Sequence, residues 1–323
     1  MKHLIVVNPK SFPRESELNF LLGFIRSFFS NDFPGSYMIH LARYPREAVR
    51  VVRRFIEEAG GLSVRVYAVG GGGIIFDCIN GMAGHHNTQL AIMPYGMRSN
   101  FIRAFADSDE KLFKDFSLQC KAPTISTDLL SFGHRYCLNY GSIGLDAGVS
   151  MQYRDLVWRF PKLTHQLGDA LYLACIPLTI RALVVPNRFY KIAIDGENFD
   201  GHYANITIAN SGLFGRSKCH APMAHPADGI LDVMLMKNTN KFIKHKVYND
   251  QINGKYYKHP KIITHVRGRE IVITTEEPVC SVFDGERDIV THLEARIAPG
   301  ALDIVSPAGT GYDVRDELTV PVL

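Results

Sequence analysis

Four consecutive glycines, Gly70–Gly73, follow the apolar run Val64–Val69 and precede a helical stretch. Inside regular structure a glycine costs about 0.5–1 kcal/mol relative to alanine. Four in succession therefore mark backbone that needs positive φ or a close approach. A strand–glycine loop–helix unit aims free N–H groups at an anion, helped by the helix dipole. Taken alone, such a run also fits a plain tight turn. A second loop, Pro94-Tyr95-Gly96, ends the next apolar run, Gln89–Met93. Two such loops at the carboxyl ends of strands in one sheet occupy the place where α/β folds bind ligands. The pair predicts a phosphate site over Gly70, Gly71, Gly72, Gly73 and Gly96.

The surrounding sequence fits that sheet. Leu4–Val7 and Tyr37–Leu41 read as strands, and Glu15–Phe29 as a helix. Pro45 opens a second helix, with Ala48, Val51, Val52, Phe55 and Ile56 at i, i+3, i+4, i+7 and i+8. Gly60-Gly61 ends it. This alternation predicts an α/β, Rossmann-like domain over residues 1–130, which the resemblance described below makes nucleotide-binding. From residue 131 the texture becomes strand-rich, apart from one helical stretch near Leu163–Val185. Turns such as Asp195-Gly196 and Asp228-Gly229 separate the strands. A mainly antiparallel β-sandwich is expected over 131–302, with 303–323 returning to complete the first domain, Asp303–Pro307 as a strand.

Charge and cysteines narrow the function. A net charge of +4 is too mild to imply nucleic acid. Lys241–Arg269 is the exception, with eight Lys or Arg against one acid, Asp250. That stretch is net +7 and the rest of the chain net −3. Interleaved with Tyr248, Tyr256 and Tyr257, it suits an anionic membrane surface, or equally a solvated face of two strands. The six cysteines show no C-x-x-C pair and read as reduced thiols of a cytoplasmic protein. The longest apolar run, Ala170–Val185, is too short to span a bilayer. Any membrane contact is thus expected to be peripheral, at the inner face.

Several motifs, in order, resemble the diacylglycerol-kinase-like lipid kinases, which share a nucleotide-binding fold with NAD kinases. Asn8-Pro9-Lys10-Ser11 resembles the family's opening N-P-x-S-G, with Phe12 in the glycine's place. Gly70–Gly81 resembles G-G-D-G-T-x-x-E-x-x-x-G, and Pro94–Arg103 resembles P-x-G-T-x-N-D-x-x-R. Asn139–Ala147 resembles the opening of the second domain. Ala221–Val233 and Asp284-Gly285-Glu286 resemble the D-G-x-x-D-V and D-G-E elements. The resemblance implies ATP with Mg2+ and a diacylglycerol-like lipid substrate. It places nucleotide phosphates at Asn8, the two glycine loops, Met97 and Arg98. It makes Glu286 the base that takes the lipid hydroxyl proton, with Asp284 orienting its loop. It leaves Asp128 and Asp146 as metal candidates.

The departures fall on polar side chains. The family's Asp and Thr in the first glycine motif are Gly72 and Ile74, and its helical acid is Asp77. In the second motif Met97, Ser99 and Asn100 replace Thr, Asn and Asp. Arg98 is either a compensating phosphate ligand or a surface arginine. Met223 and Ala227 replace acids where the family can hold a structural cation. Two functions follow: a lipid kinase of weakened activity, or a catalytically silent relative that binds nucleotide or lipid. NAD kinase is a third reading that the D-G-E element fits less well.

Overall fold

The computed structural model describes residues 1–32, 36–96, 100–160, 169–182, 188–214 and 218–313. It divides into two compact units: residues 1–129 with 299–313, and residues 130–298.

The first unit runs β1 (Lys2–Val7), α1 (Glu15–Asp32), β2 (Tyr37–Leu41), α2 (Glu47–Glu58), β3 (Val64–Val69), α3 (Gly72–Met82), β4 (Thr88–Met93), α4 (Glu110–Lys114), α5 (Phe116–Lys121) and the start of β5 (Thr124–Phe132). β1 pairs in parallel with β2 and β3, and β3 with β4. Asp303–Ile304 returns beside Gln89–Leu90 as a further parallel strand. All six residues of β3 are buried, as a parallel strand covered on both faces requires. Leu18, Leu21, Leu22, Ile25 and Phe29 of α1 cover one face, against Ile5, Val7, Tyr67, Val69, Ala91 and Met93. Ala48, Val52 and Ile56 of α2 are buried as their spacing predicts. Pro45 does not open that helix. It lies in the turn before it, and Arg46 takes the cap position at φ 64.

One buried arginine ties this unit together. Arg65 of β3 donates to the carbonyls of Gln119 (2.6 Å), Cys120 (2.8 Å) and Ala122 (3.2 Å), and to Gln89 Oε1 (2.9 Å).

The second unit contains β6 (Arg135–Cys137), β7 (Tyr140–Gly144), α6 (Leu145–Arg159), α7 (Asp169–Ala182), β8 (Phe189–Ile194), β9 (Glu197–Asn198), β10 (Gly201–Ala209), β11 (Leu213–Phe214), β12 (Lys218–Cys219), β13 (Leu231–Lys237), α8 (Lys241–Ile252), β14 (Ile263–Gly268), β15 (Glu270–Phe283) and β16 (Glu286–Val305). The chain passes between the units within β5 and within β16. The strands are antiparallel in the order β14-β13-β10-β7-β15-β16, and β8 pairs with both β10 and β15. α6, α7 and α8 bury Val149, Tyr153, Tyr172, Cys175, Ile176, Val247 and Tyr248 in one core with Met234 and Met236.

Two expectations change. The basic stretch is not a pair of strands: Lys241–Ile252 is a helix, capped by Asn240 Oδ1 accepting from the Ile243 N–H at 3.1 Å. Only Ile263–Gly268 of that stretch is a strand. The strand-rich region also holds a helix that was not expected, α6 at Leu145–Arg159, and Glu270–Phe283 is one long strand, β15. All six cysteines are free. Among the described residues no helix is long and apolar enough to cross a membrane.

Candidate functional site

β1, β3 and β4 end side by side. The Asn8 N–H donates to the Val69 carbonyl and the Gly70 N–H to the Met93 carbonyl, both at 3.0 Å. The three loops that follow are thereby stacked in a row. Asn8 also accepts from the Lys10 N–H through Oδ1 (3.1 Å), shaping the turn Pro9–Ser11. The glycine loops touch. A Cβ at Gly96 would stand 2.5 Å from Gly71 N, 2.8 Å from Gly71 Cα and 2.9 Å from Ser11 Oγ. A Cβ at Gly70 would stand 2.9 Å from Ile74 Cγ2. Gly73 differs, since a Cβ there meets nothing within 4 Å. α3 starts at Gly72 with no side-chain cap; the Ile74 and Ile75 N–H groups donate to the Gly71 carbonyl, which leaves those of Gly72 and Gly73 without an acceptor inside the helix. This is a backbone cradle suited to an anion. Ser11 is part of it, and the only sequence signal for that was its place in the opening motif.

The polar complement is thin. Gly72 offers no side chain, and Ile74 puts a nearly buried hydrocarbon, 6% exposed, beside the loop. Asp77 is held elsewhere, its Oδ2 accepting from the Arg46 N–H (3.1 Å) and its Oδ1 lying 3.5 Å from the Arg46 guanidinium. Phe12, in place of glycine, stacks on Tyr95 with centroids 4.9 Å apart. Met97 and Arg98 lie outside the described residues. A hydroxyl at position 74 would add one donor to the cradle, and a neutral hydrogen bond is worth about 0.5–1.5 kcal/mol. If the cradle takes nucleotide phosphates as the resemblance implies, Ile74→Thr is expected to tighten ATP binding about 2- to 10-fold, measured by calorimetry. Unchanged or weaker binding would count against this placement of the phosphates.

In the second unit, Asp284-Gly285 forms a two-residue hairpin turn between β15 and β16. Both residues have positive φ, 45 and 86, and Phe283 pairs with Glu286. Such a turn favours Asp-Gly. The Asp284 carboxylate accepts from the N–H groups of Leu138 (2.7 Å), Asn139 (3.2 Å) and Tyr140 (3.3 Å). Burial pushes its pKa up to about 6, against the pull of those three donors. Asp284 thus fixes the turn to the entry of β7, and Glu286, half-buried, is the next residue of that rigid hairpin.

Tyr140 leads from this turn to a buried cluster. Its ring lies 4.9 Å from that of His220. His220 Nε2 is 3.1 Å from Asp146 Oδ1, and both residues are fully buried. The hydroxyls of Tyr172 (2.9 Å) and Tyr248 (2.5 Å) donate to the same oxygen. Burial works to raise the Asp146 pKa. The adjacent His220 ring and the hydrogen bonds from His220 and Tyr248 outweigh it and hold the acid below the usual carboxylate range. No local sequence pattern marks His220, because its partners lie far away along the chain. Other acids of the same unit are likewise engaged by the chain's own side chains. His265 Nε2 lies 2.5 Å from Asp232 Oδ1, and Arg267 pairs with Asp228.

Magnesium needs several oxygen ligands, usually including carboxylates. Asp128 Oδ1 accepts from the Gly300 N–H at 2.7 Å in the first unit, whereas Asp146 is enclosed in the second. Among the described residues no group of three or more His, Cys, Asp or Glu could hold a metal ion. Among the described residues the side chains form no site that would hold magnesium by protein ligands alone.

Comparison with known proteins places this architecture. Residues 2–131 match the model described as the diacylglycerol kinase catalytic domain. Residues 141–306 match the YegS C-terminal NAD kinase beta sandwich-like domain. A Staphylococcus aureus (strain Newman) protein named "Putative lipid kinase" is 23% identical over 248 residues, covering 75% of this chain and 76% of that one. A structure from Bacillus anthracis str. Sterne, titled "A putative diacylglycerol kinase", superposes with a TM-score of 0.72 at 23% identity, covering 96% and 98% of the two chains. A second from the same organism, described as a diacylglycerol kinase, gives 0.72 at 22%, covering 95% and 98%. At these identities the structures speak for the fold alone. The two domain matches account for nearly the whole length in the expected order, and on them the chain belongs to the diacylglycerol-kinase-like lipid kinase family.

Proposed function

We propose that the protein transfers the γ-phosphoryl group of ATP to the hydroxyl of a diacylglycerol-like lipid, at a reduced rate. The observation that carries this reading is the contact between Gly96 and Gly71, which leaves no room for a side chain and keeps the two loops as one cradle. Backbone N–H groups at the start of α3 would receive the phosphates. The Glu286 carboxylate would take the proton of the lipid hydroxyl. The hydroxyl oxygen then bonds to the γ-phosphorus as the bond to the β–γ bridging oxygen breaks, and ADP leaves. Such transfer depends mostly on positioning and charge neutralisation. Removing one electrostatic stabiliser costs about 2.7–4 kcal/mol of barrier, and Gly72 and Ile74 each stand where the family has a polar contact.

Those two residues also support a second reading, a silent relative that binds nucleotide or lipid without turnover. Incubation with labelled ATP, magnesium or manganese, and a total lipid extract separates the two. Labelled lipid is the expected outcome. Intact, ATP-binding protein that labels no lipid would assign the second reading. The basic stretch 241–269 fits peripheral contact with an anionic membrane, where such a lipid resides.

A further inference from the structure

We propose that the first turn of α8 and the lysines around it form a docking face for an anionic lipid bilayer. α8 buries Lys244, Val247, Tyr248, Gln251 and Ile252. At its start it leaves Phe242 78% exposed and Ile243 41% exposed. A phenylalanine and an isoleucine presented side by side to solvent at a helix terminus gain nothing for the fold, and outward apolar side chains of this kind mark contact surfaces. The Lys241 ammonium sits 5.4 Å from the Phe242 ring centroid.

The charge around this tip is unspent. Lys237, Lys241 and Lys261 are exposed, and among the described residues no ion pair engages any of them. The fold brings Lys261 back to this end of the helix. The Lys237 N–H donates to the Ile262 carbonyl at 2.8 Å, so Lys261 returns beside the point from which α8 departs. The one acid of the stretch, Asp250, is answered by His259 Nε2 at 2.8 Å. Arg267, paired with Asp228, is spent inside the unit.

Charge complementarity selects the occupant. Exposed lysines beside an apolar tip match an anionic interface, where headgroup charge meets lysine and the acyl boundary takes the apolar side chains. This inference needs no turnover, so it stands or falls separately from the kinase reading.

The test is co-sedimentation of the whole chain, without ATP, with vesicles of phosphatidylcholine alone or with about one-third phosphatidylglycerol. Binding is expected only to the anionic vesicles, weakening at least about tenfold as NaCl rises from low to high concentration. Phe242→Ser with Ile243→Ser is expected to weaken it about tenfold at low salt. Lys241→Ala with Lys261→Ala should weaken it and flatten the salt dependence. All four positions are solvent-exposed, and unchanged circular dichroism checks the fold. Equal binding to neutral vesicles, no vesicle binding, or variants that bind like the wild type would overturn the proposal. So would wild-type protein that pellets without vesicles and ceases to do so in Phe242→Ser, which would assign the tip to self-association.

Discussion

Gly96→Val is expected to lower ATP affinity about 5- to 100-fold. The added Cβ falls 2.5 Å and 2.8 Å from backbone atoms of Gly71 and 2.9 Å from Ser11 Oγ. Two of the three obstacles are backbone, so one loop must move. Overpacking of this kind costs about 1–3 kcal/mol, and each 1.4 kcal/mol is about tenfold in affinity. The displaced group is Gly71, the residue that caps α3, so the strain falls on the N–H groups assigned to the phosphates. Calorimetric titration with ATP measures the loss, and thermal melting separates it from unfolding. Gly73→Ala provides the contrast. Its methyl meets nothing within 4 Å, so any affinity lost there reports crowding of the nucleotide and not of the protein. Wild-type affinity in folded Gly96→Val would remove the phosphates from this cradle.

Arg65→Ala is expected to destabilise the first unit by about 3–5 kcal/mol, the usual cost of breaking a buried charged network. Arg65 is 5% exposed. Three of its acceptors are the carbonyls of Gln119, Cys120 and Ala122. Those of Gln119 and Cys120 belong to the last turn of α5, and Ala122 is its C-terminal cap. Helical C-terminal carbonyls lack partners within the helix and carry the negative end of its dipole. Truncation leaves buried acceptors unsatisfied, at about 1–3 kcal/mol each. Arg65→Lys should recover only part of the loss, because one ammonium cannot reproduce a planar fork. The measurement is hydrogen exchange across residues 116–122 together with a melting curve, where a fall of about 10 °C is expected. A loss below about 1 kcal/mol would show that water replaces the guanidinium.

The sheet of the first unit was legible because its strands are buried on both faces, so the sequence shows apolar runs cut by glycine. α8 was not legible. Its sequence mixes Phe242, Ile243, Val247 and Tyr248 with lysines, a composition that suits a strand. The Asn240 cap and burial of one face decided for helix. α6 was missed for a related reason. It begins directly after β7, at Gly144 with φ 95, inside a stretch whose glycines and apolar residues mask any helical period. The glycine loops could be found from sequence because positive φ and backbone contact admit few residues. The Asp284 turn could be found from Asp-Gly. The enclosure of Asp146 by His220, Tyr172 and Tyr248 could not, since no local pattern links side chains contributed by α6, α7, α8 and the β12 region. That enclosure engages Asp146 Oδ1 within the chain, a contact that the resemblance gave no sign of.

The account rests most heavily on Glu286 acting as base on a lipid hydroxyl. The direct measurement is single-turnover transfer of label from ATP to lipid, with wild-type protein and Glu286→Gln in excess over nucleotide. The glutamine keeps size and hairpin but cannot accept the proton. A rate lower by about 100-fold or more, with unchanged ATP affinity and melting temperature, is the predicted result. Equal rates in the two proteins would contradict it and require another base.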